Sequence, residues 1–151
     1  MGTDDRELEA SIAAYTTPEG CEQFAKNVEA QGKPELALLA RRRAIELRAA
    51  RHGAKTSAET EALGAVYAYE RTLFSKHGKS IRASRTWRMI ERRGIIPAVE
   101  QVVTRNAEST GYTALVAMGL QDKAFEAVVL RYPDLFSAAA VQRSRERLQH
   151  E

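Results

Sequence analysis

The chain has 151 residues, 44% of them hydrophobic and 28% charged, which is an ordinary composition for a folded globular protein and not for a disordered one. No apolar run approaches the roughly 20 residues that a bilayer span requires, and a single cysteine, Cys21, excludes an internal disulfide and a thiolate metal cluster. Net charge is only +3, but the charges are strongly segregated along the chain, and that segregation carries the functional reading.

Residues 1–31 hold seven acids against two bases. The opening acids Asp4, Asp5, Glu7 and Glu9 are the opposite of a secretory or mitochondrial leader, and with one thiol they set the expectation of a cytoplasmic protein. Residues 1–16 are read as an acidic segment, helical or flexible, placed to fold back on a basic surface. Thr17-Pro18-Glu19 is a cap followed by proline at the first helical position, and it opens a helix to about Gln31. Gly32 ends it, and Pro34 starts a second helix that Gly53 stops. This pair resembles one tetratricopeptide unit at Phe24, Gly32, Ala40 and Ala44. The pattern does not recur at a fixed period, so the pair is read as a helical hairpin. Its second helix carries Arg41-Arg42-Arg43, Arg48 and Arg51, a cluster spread around the circumference and read as a solvated, partly salt-bridged face.

Thr56 or Ser57 is placed to cap a third helix running to about Ser75, with Ala62, Val66, Tyr69 and Leu73 on one stripe and Leu63, Tyr67 and Phe74 beside it. So broad an apolar face belongs to a central helix. Within it Glu70 is expected half-buried against an arginine such as Arg85 or Arg88. Gly78 breaks this helix, and a further one is expected from Ile81 or Arg82 to Arg93, closed by Gly94. A short helix follows from Pro97 to about Arg105. Ser109 to Met118 and Asp122 to Arg131 read as a second hairpin with Asp122 as a cap, closed by Pro133. Ser137 caps a last helix through about Leu148, with Arg143, Arg145 and Arg147 mostly outward. The fold class is all-α, about seven helices packed as helical hairpins, with residues 17–151 as one domain.

The segment 76–93 holds seven bases, Lys76, Lys79, Arg82, Arg85, Arg88, Arg92 and Arg93, against the single acid Glu91. At 100° per residue Ala83, Trp87 and Ile90 share a narrow arc, and Arg82, Arg85, Arg88 and Arg92 lie opposite. Trp87 is therefore a core anchor and the arginines form a stripe. Arginine's planar fork donates two hydrogen bonds to phosphate, and Ser80, Ser84 and Thr86 are short hydroxyls suited to backbone contact. The order helix, Gly94, helix has the outline of a helix-turn-helix, but its second helix is poor in base-reading groups. Binding to phosphates without strong sequence preference follows more naturally.

Phosphate-binding glycine loops, paired-histidine metal motifs and nucleophile elbows are missing from the sequence. His52, His77 and His150 sit at helix ends or the terminus, and no catalytic, metal or cofactor role is assigned to them or to Cys21. The expectation is a nucleic-acid-binding helical domain, DNA or RNA, and not an enzyme, with a possible place as accessory module to a separate enzyme. No membrane or small-molecule substrate is expected. The alternative is a helical protein–protein interaction domain whose basic helix is a solvated or acid-binding face.

Overall fold

A computed structural model describes residues 2–79, 81–105 and 112–149, and among these the side chains other than those of 2–4, 75–77 and 149. The described residues are all-α: nine α-helices and two short 3-10 turns, with no strand among them. They divide into two compact units, Met1–Gly53 and Ala54–Glu151.

The first unit contains α1 (Gly2–Ala14), α2 (Pro18–Ala30) and α3 (Pro34–Arg51). The acidic opening segment is thus helical over α1. Thr17 caps α2 as its spacing requires, its hydroxyl accepting from the Gly20 N–H at 3.1 Å. Ile12, Phe24, Val28 and Leu36 form the core with Ala25, Ala37 and Ala40, whose small side chains let α2 and α3 approach closely. The Tyr15 ring meets Phe24 edge-on at 5.7 Å and lies against Gly20, where an added Cβ would come within 2.8 Å of Tyr15 Cδ1. Acids of the first 31 residues pair with the bases that follow: Asp5 with Lys33 at 3.1 Å, Glu19 with Arg51 at 3.6 Å, and Glu29 with Arg41 through two bonds of 3.0 Å. Arg43 donates to the Tyr15 carbonyl at 3.3 Å. The basic cluster of α3 is therefore a partly salt-bridged surface.

The second unit contains α4 (Ser57–His77), α5 (Ser84–Arg93), α6 (Ile95–Arg105), α7 (Tyr112–Ala117), α8 (Phe125–Arg131) and α9 (Ala138–Gln149). Thr56 caps α4 by accepting from the Glu59 N–H at 3.1 Å, and Gly78 ends it at φ 73°. Ala62, Leu63, Ala65, Val66 and Ala68 are fully buried, and α4 packs against α6, α7 and α8 as a central helix must. Val99, Val103, Leu115, Leu120, Val128 and Val129 complete this core. Ser137 caps α9, accepting from the Ala140 N–H at 3.0 Å, and is itself held by Glu100 of α6 through its N–H at 2.9 Å and its hydroxyl at 2.7 Å.

Several boundaries and contacts differ from the sequence reading. Asp122 lies in a 3-10 turn, Gln121–Lys123, and α8 starts after Ala124 without a side-chain cap. The α6 helix starts at Ile95 and not Pro97, because proline is accommodated anywhere in a first turn whose N–H groups lack helical partners. The proposed start at Ser109 lies outside the described residues. Arg147, read as outward, is only 9% exposed and pairs at 3.0 Å with Glu126, itself 5% exposed. Arg143 donates to the Thr104 carbonyl at 3.1 Å.

Candidate nucleic-acid interface

The α5 helix begins two residues later than its charge pattern suggests. Ala83 is the N-cap residue and offers no side-chain oxygen. A residue of α4 holds the cap residue itself: Glu70 Oε2 accepts from the Ala83 N–H at 2.7 Å and from the Trp87 indole N–H at 2.8 Å. One carboxylate oxygen thus fixes both the start of α5 and its largest side chain, and its negative charge complements the positive end of the helix dipole. This corrects the sequence reading of Glu70, which was expected to face Arg85 or Arg88. The indole is a better partner for a half-buried carboxylate, because it satisfies the acid without burying a second charge.

Trp87 is 4% exposed, and Thr86 and Ile90 are buried beside it. The Tyr67 ring packs on the indole at 5.3 Å. Arg82, placed on the opposite side of a longer helix by the sequence reading, precedes α5 and stacks its guanidinium 4.9 Å above the Trp87 ring. Thr86 is buried, whereas Ser84 is exposed.

With its apolar side fixed, α5 presents Arg85, Arg88, Arg92 and Arg93 on its exposed surface. Gly94, at φ 99° and ψ 168°, then reverses the chain within a single residue and sends α6 back along α5. That close return brings Arg105, at the far end of α6, to the arginine face. Arg85, Arg88, Arg92, Arg93 and Arg105 line one concave surface with Met89 and Gln101, about 360 Å³ in volume. No carboxylate lines it, and among the described residues none of these five arginines has an ion-pair partner. The nearby acid Glu100 is engaged at Ser137.

The arrangement works against helix stability. Like charges three and four residues apart, as in Arg85–Arg88 and Arg88–Arg92, cost about 0.2–0.5 kcal/mol per pair. Arg85 also stands at the second position of α5, where the helix dipole favours an acid and the first turn has none. A bound anion reverses both penalties.

A second groove of about 340 Å³ adjoins the first, sharing Arg85, Met89, Gln101 and Arg105 with it. Its own lining is mixed: Tyr69, Leu73, Ala83, Val102 and Phe125 supply apolar surface, and Arg82, Ser84 and Thr86 supply polar groups. Sequence reasoning missed Arg105 and Tyr69 as site residues because each lies outside residues 76–93, on a neighbouring helix (α6 and α4) that only the fold brings against the arginine face. Lys79 is exposed between α4 and α5 and lines neither groove. The side chains of Lys76 and His77, and all of Ser80, lie outside the described residues.

Among the described residues no group of three or more histidine, cysteine or acidic side chains is placed to hold a metal ion, and no helix is long and apolar enough to cross a membrane. Cys21 is buried, and burial raises its thiol above the usual range. No protein-family model, curated protein or solved structure matches the chain.

Proposed function

We propose that this protein binds nucleic acid through its phosphate backbone, using the arginine face of α5 completed by Arg105 of α6. The observation that carries this reading is the concave surface lined by five arginines, with no carboxylate in its lining. Cations gathered without counter-charges raise the local potential, and a polyanion relieves it by releasing its own condensed counterions. Arginine also matches phosphate geometrically, through two parallel N–H donors. The contacts are to the backbone, so the binding reads charge and spacing more than sequence.

Arg85, Arg88, Arg92 and Arg105 carry the interaction in this reading. Arg93 and Arg82 flank them, and Lys76 and Lys79 extend the positive approach from the end of α4. Titrating a fluorescent oligonucleotide at two salt concentrations tests this directly. Binding weakens with salt and is lost when the four arginines are replaced by glutamine. An acidic polypeptide of equal charge that binds as tightly as the oligonucleotide would move the reading to an acidic protein partner.

A further inference from the structure

We infer that the groove beside the arginine face takes an unpaired base, so that the protein's ligand is a single strand and not a duplex. This rests on the phosphate-binding reading and adds a second component to it. The two grooves are continuous through Arg85, Met89, Gln101 and Arg105. On one side of that shared wall the added residues are all arginines, Arg88, Arg92 and Arg93, and on the other they are mainly apolar, Tyr69, Leu73, Val102 and Phe125, with Arg82, Ser84 and Thr86 beside them. A nucleotide has the same division: an anionic phosphate joined by a short sugar to a flat, largely apolar ring.

The chemistry of the second groove suits a base better than further backbone. Its lining includes the half-buried Tyr69 ring, backed at 6.3 Å between centroids by the buried Phe125, together with aliphatic carbon and one thioether. Its rim carries Arg82, Arg85 and Arg105, which stack on bases through their planar guanidinium groups as readily as they bind phosphate. Arg82 already lies over the Trp87 ring, 4.9 Å from its Cζ to the ring centroid, and it is exposed. In a duplex the bases are stacked and paired, so only phosphates and groove edges would reach this surface. An unpaired strand presents both parts at once. The groove is also lined by an amide residue, Gln101, whose Oε1 is buried and has no hydrogen-bond partner in the protein, so a small rotation of the side chain offers an acceptor to the N–H donors of a base edge.

Three probes of equal length separate the two components: an oligothymidylate of about 12 nucleotides, within the usual length range of single-strand sites, an abasic strand with the same phosphates, and a duplex of the same length. The abasic strand tests the phosphate reading alone, and its binding disappears in the four-arginine variant. The oligothymidylate binds more tightly than the abasic strand by roughly 5- to 150-fold, the range that base–aromatic stacking supplies. Val102→Trp, which fills the apolar groove and spares every arginine, reduces that ratio to about 1 and leaves abasic binding unchanged. Should this variant fail to fold, methyl NMR of the unaltered protein decides the matter: the Leu73 and Val102 methyl signals shift with oligothymidylate and not with the abasic strand. Equal affinity for the two strands, or methyl signals indifferent to the base, overturns the inference while leaving the phosphate site standing. An abasic strand that fails to bind even at low salt overturns the phosphate reading itself.

Discussion

Glu70 shows how one side chain sets the orientation of an interface that it does not line. Its carboxylate holds the Trp87 indole and the N–H of Ala83, the N-cap residue of α5, so replacing it with alanine leaves two donors unsatisfied and frees the helix start. Hydrogen bonds to a charged group contribute about 1.5–3 kcal/mol each, and Glu70→Ala, which removes two, is expected to cost about 3 kcal/mol with a red shift in emission. Because Trp87 is the single tryptophan, thermal melting followed by its fluorescence measures both. A buried pair gives a second prediction. Removing one partner of Glu126–Arg147 strands the other charge at about 3–5 kcal/mol, so Arg147→Met is strongly destabilising and the double variant Glu126→Gln, Arg147→Met recovers most of the loss in urea denaturation. Neither role was legible in the sequence. Glu70 stood out there only as an acid on an apolar helix, and the choice between indole and arginine as its partner depends on where α5 begins. Arg147 was placed outward by its position among charged neighbours, and its inward turn is dictated by an acid on α8.

Elements were more legible than contacts, for reasons of local chemistry. Thr17, Thr56 and Ser137 each cap the helix that their sequence context assigns them, and Gly78 and Gly94 end theirs in conformations that glycine adopts freely. These signals depend on a few adjacent residues. Asp122 failed as a cap because a 3-10 turn intervenes, and the start of α5 was misjudged because its N–H acceptor comes from another helix. The α5–Gly94–α6 corner is the element on which the proposed interface depends. Its φ and ψ, 99° and 168°, fall in a region occupied almost only by glycine, so Gly94→Ala is expected to cost roughly 1–3 kcal/mol. An added Cβ meets Pro97 at 3.7 Å, an ordinary contact, so the cost is backbone strain and not a clash. Relief of that strain by reopening the corner moves Arg105 away from α5. Oligonucleotide affinity therefore falls in Gly94→Ala even at temperatures where circular dichroism shows full helicity. Unchanged affinity in a folded Gly94→Ala protein would show that the corner does not set the site.

At the scale of the whole chain, charge is sorted by position and by fate. Net charge near neutrality conceals an acidic stretch and a basic stretch that pair within the first unit, and an arginine surface in the second that finds no such partner among the described residues. The concentration of charge on residues 76–93 was visible in the sequence. Its freedom from counter-charges was not, because that depends on where Glu70, Glu91 and Glu100 point. Each unit also carries its own probe. Cys21, buried in the first with its thiol raised by desolvation, reacts with a thiol reagent at pH 8 only as that unit opens, and denaturant accelerates its labelling. Rapid labelling without denaturant would contradict this packing. The central claim concerns the second unit and is tested most directly by salt. Five arginines neutralising five phosphates of a single strand give a slope of log affinity against log salt of roughly −3.5, about a 100-fold loss between 50 and 200 mM. Anisotropy titration of a labelled single strand across that range, with the intact protein and with Arg85, Arg88, Arg92 and Arg105 replaced by glutamine, measures it. The account predicts that steep slope for the intact protein and its near disappearance in a variant that retains its helicity. Salt-independent affinity, or equal binding by the two proteins, would contradict it.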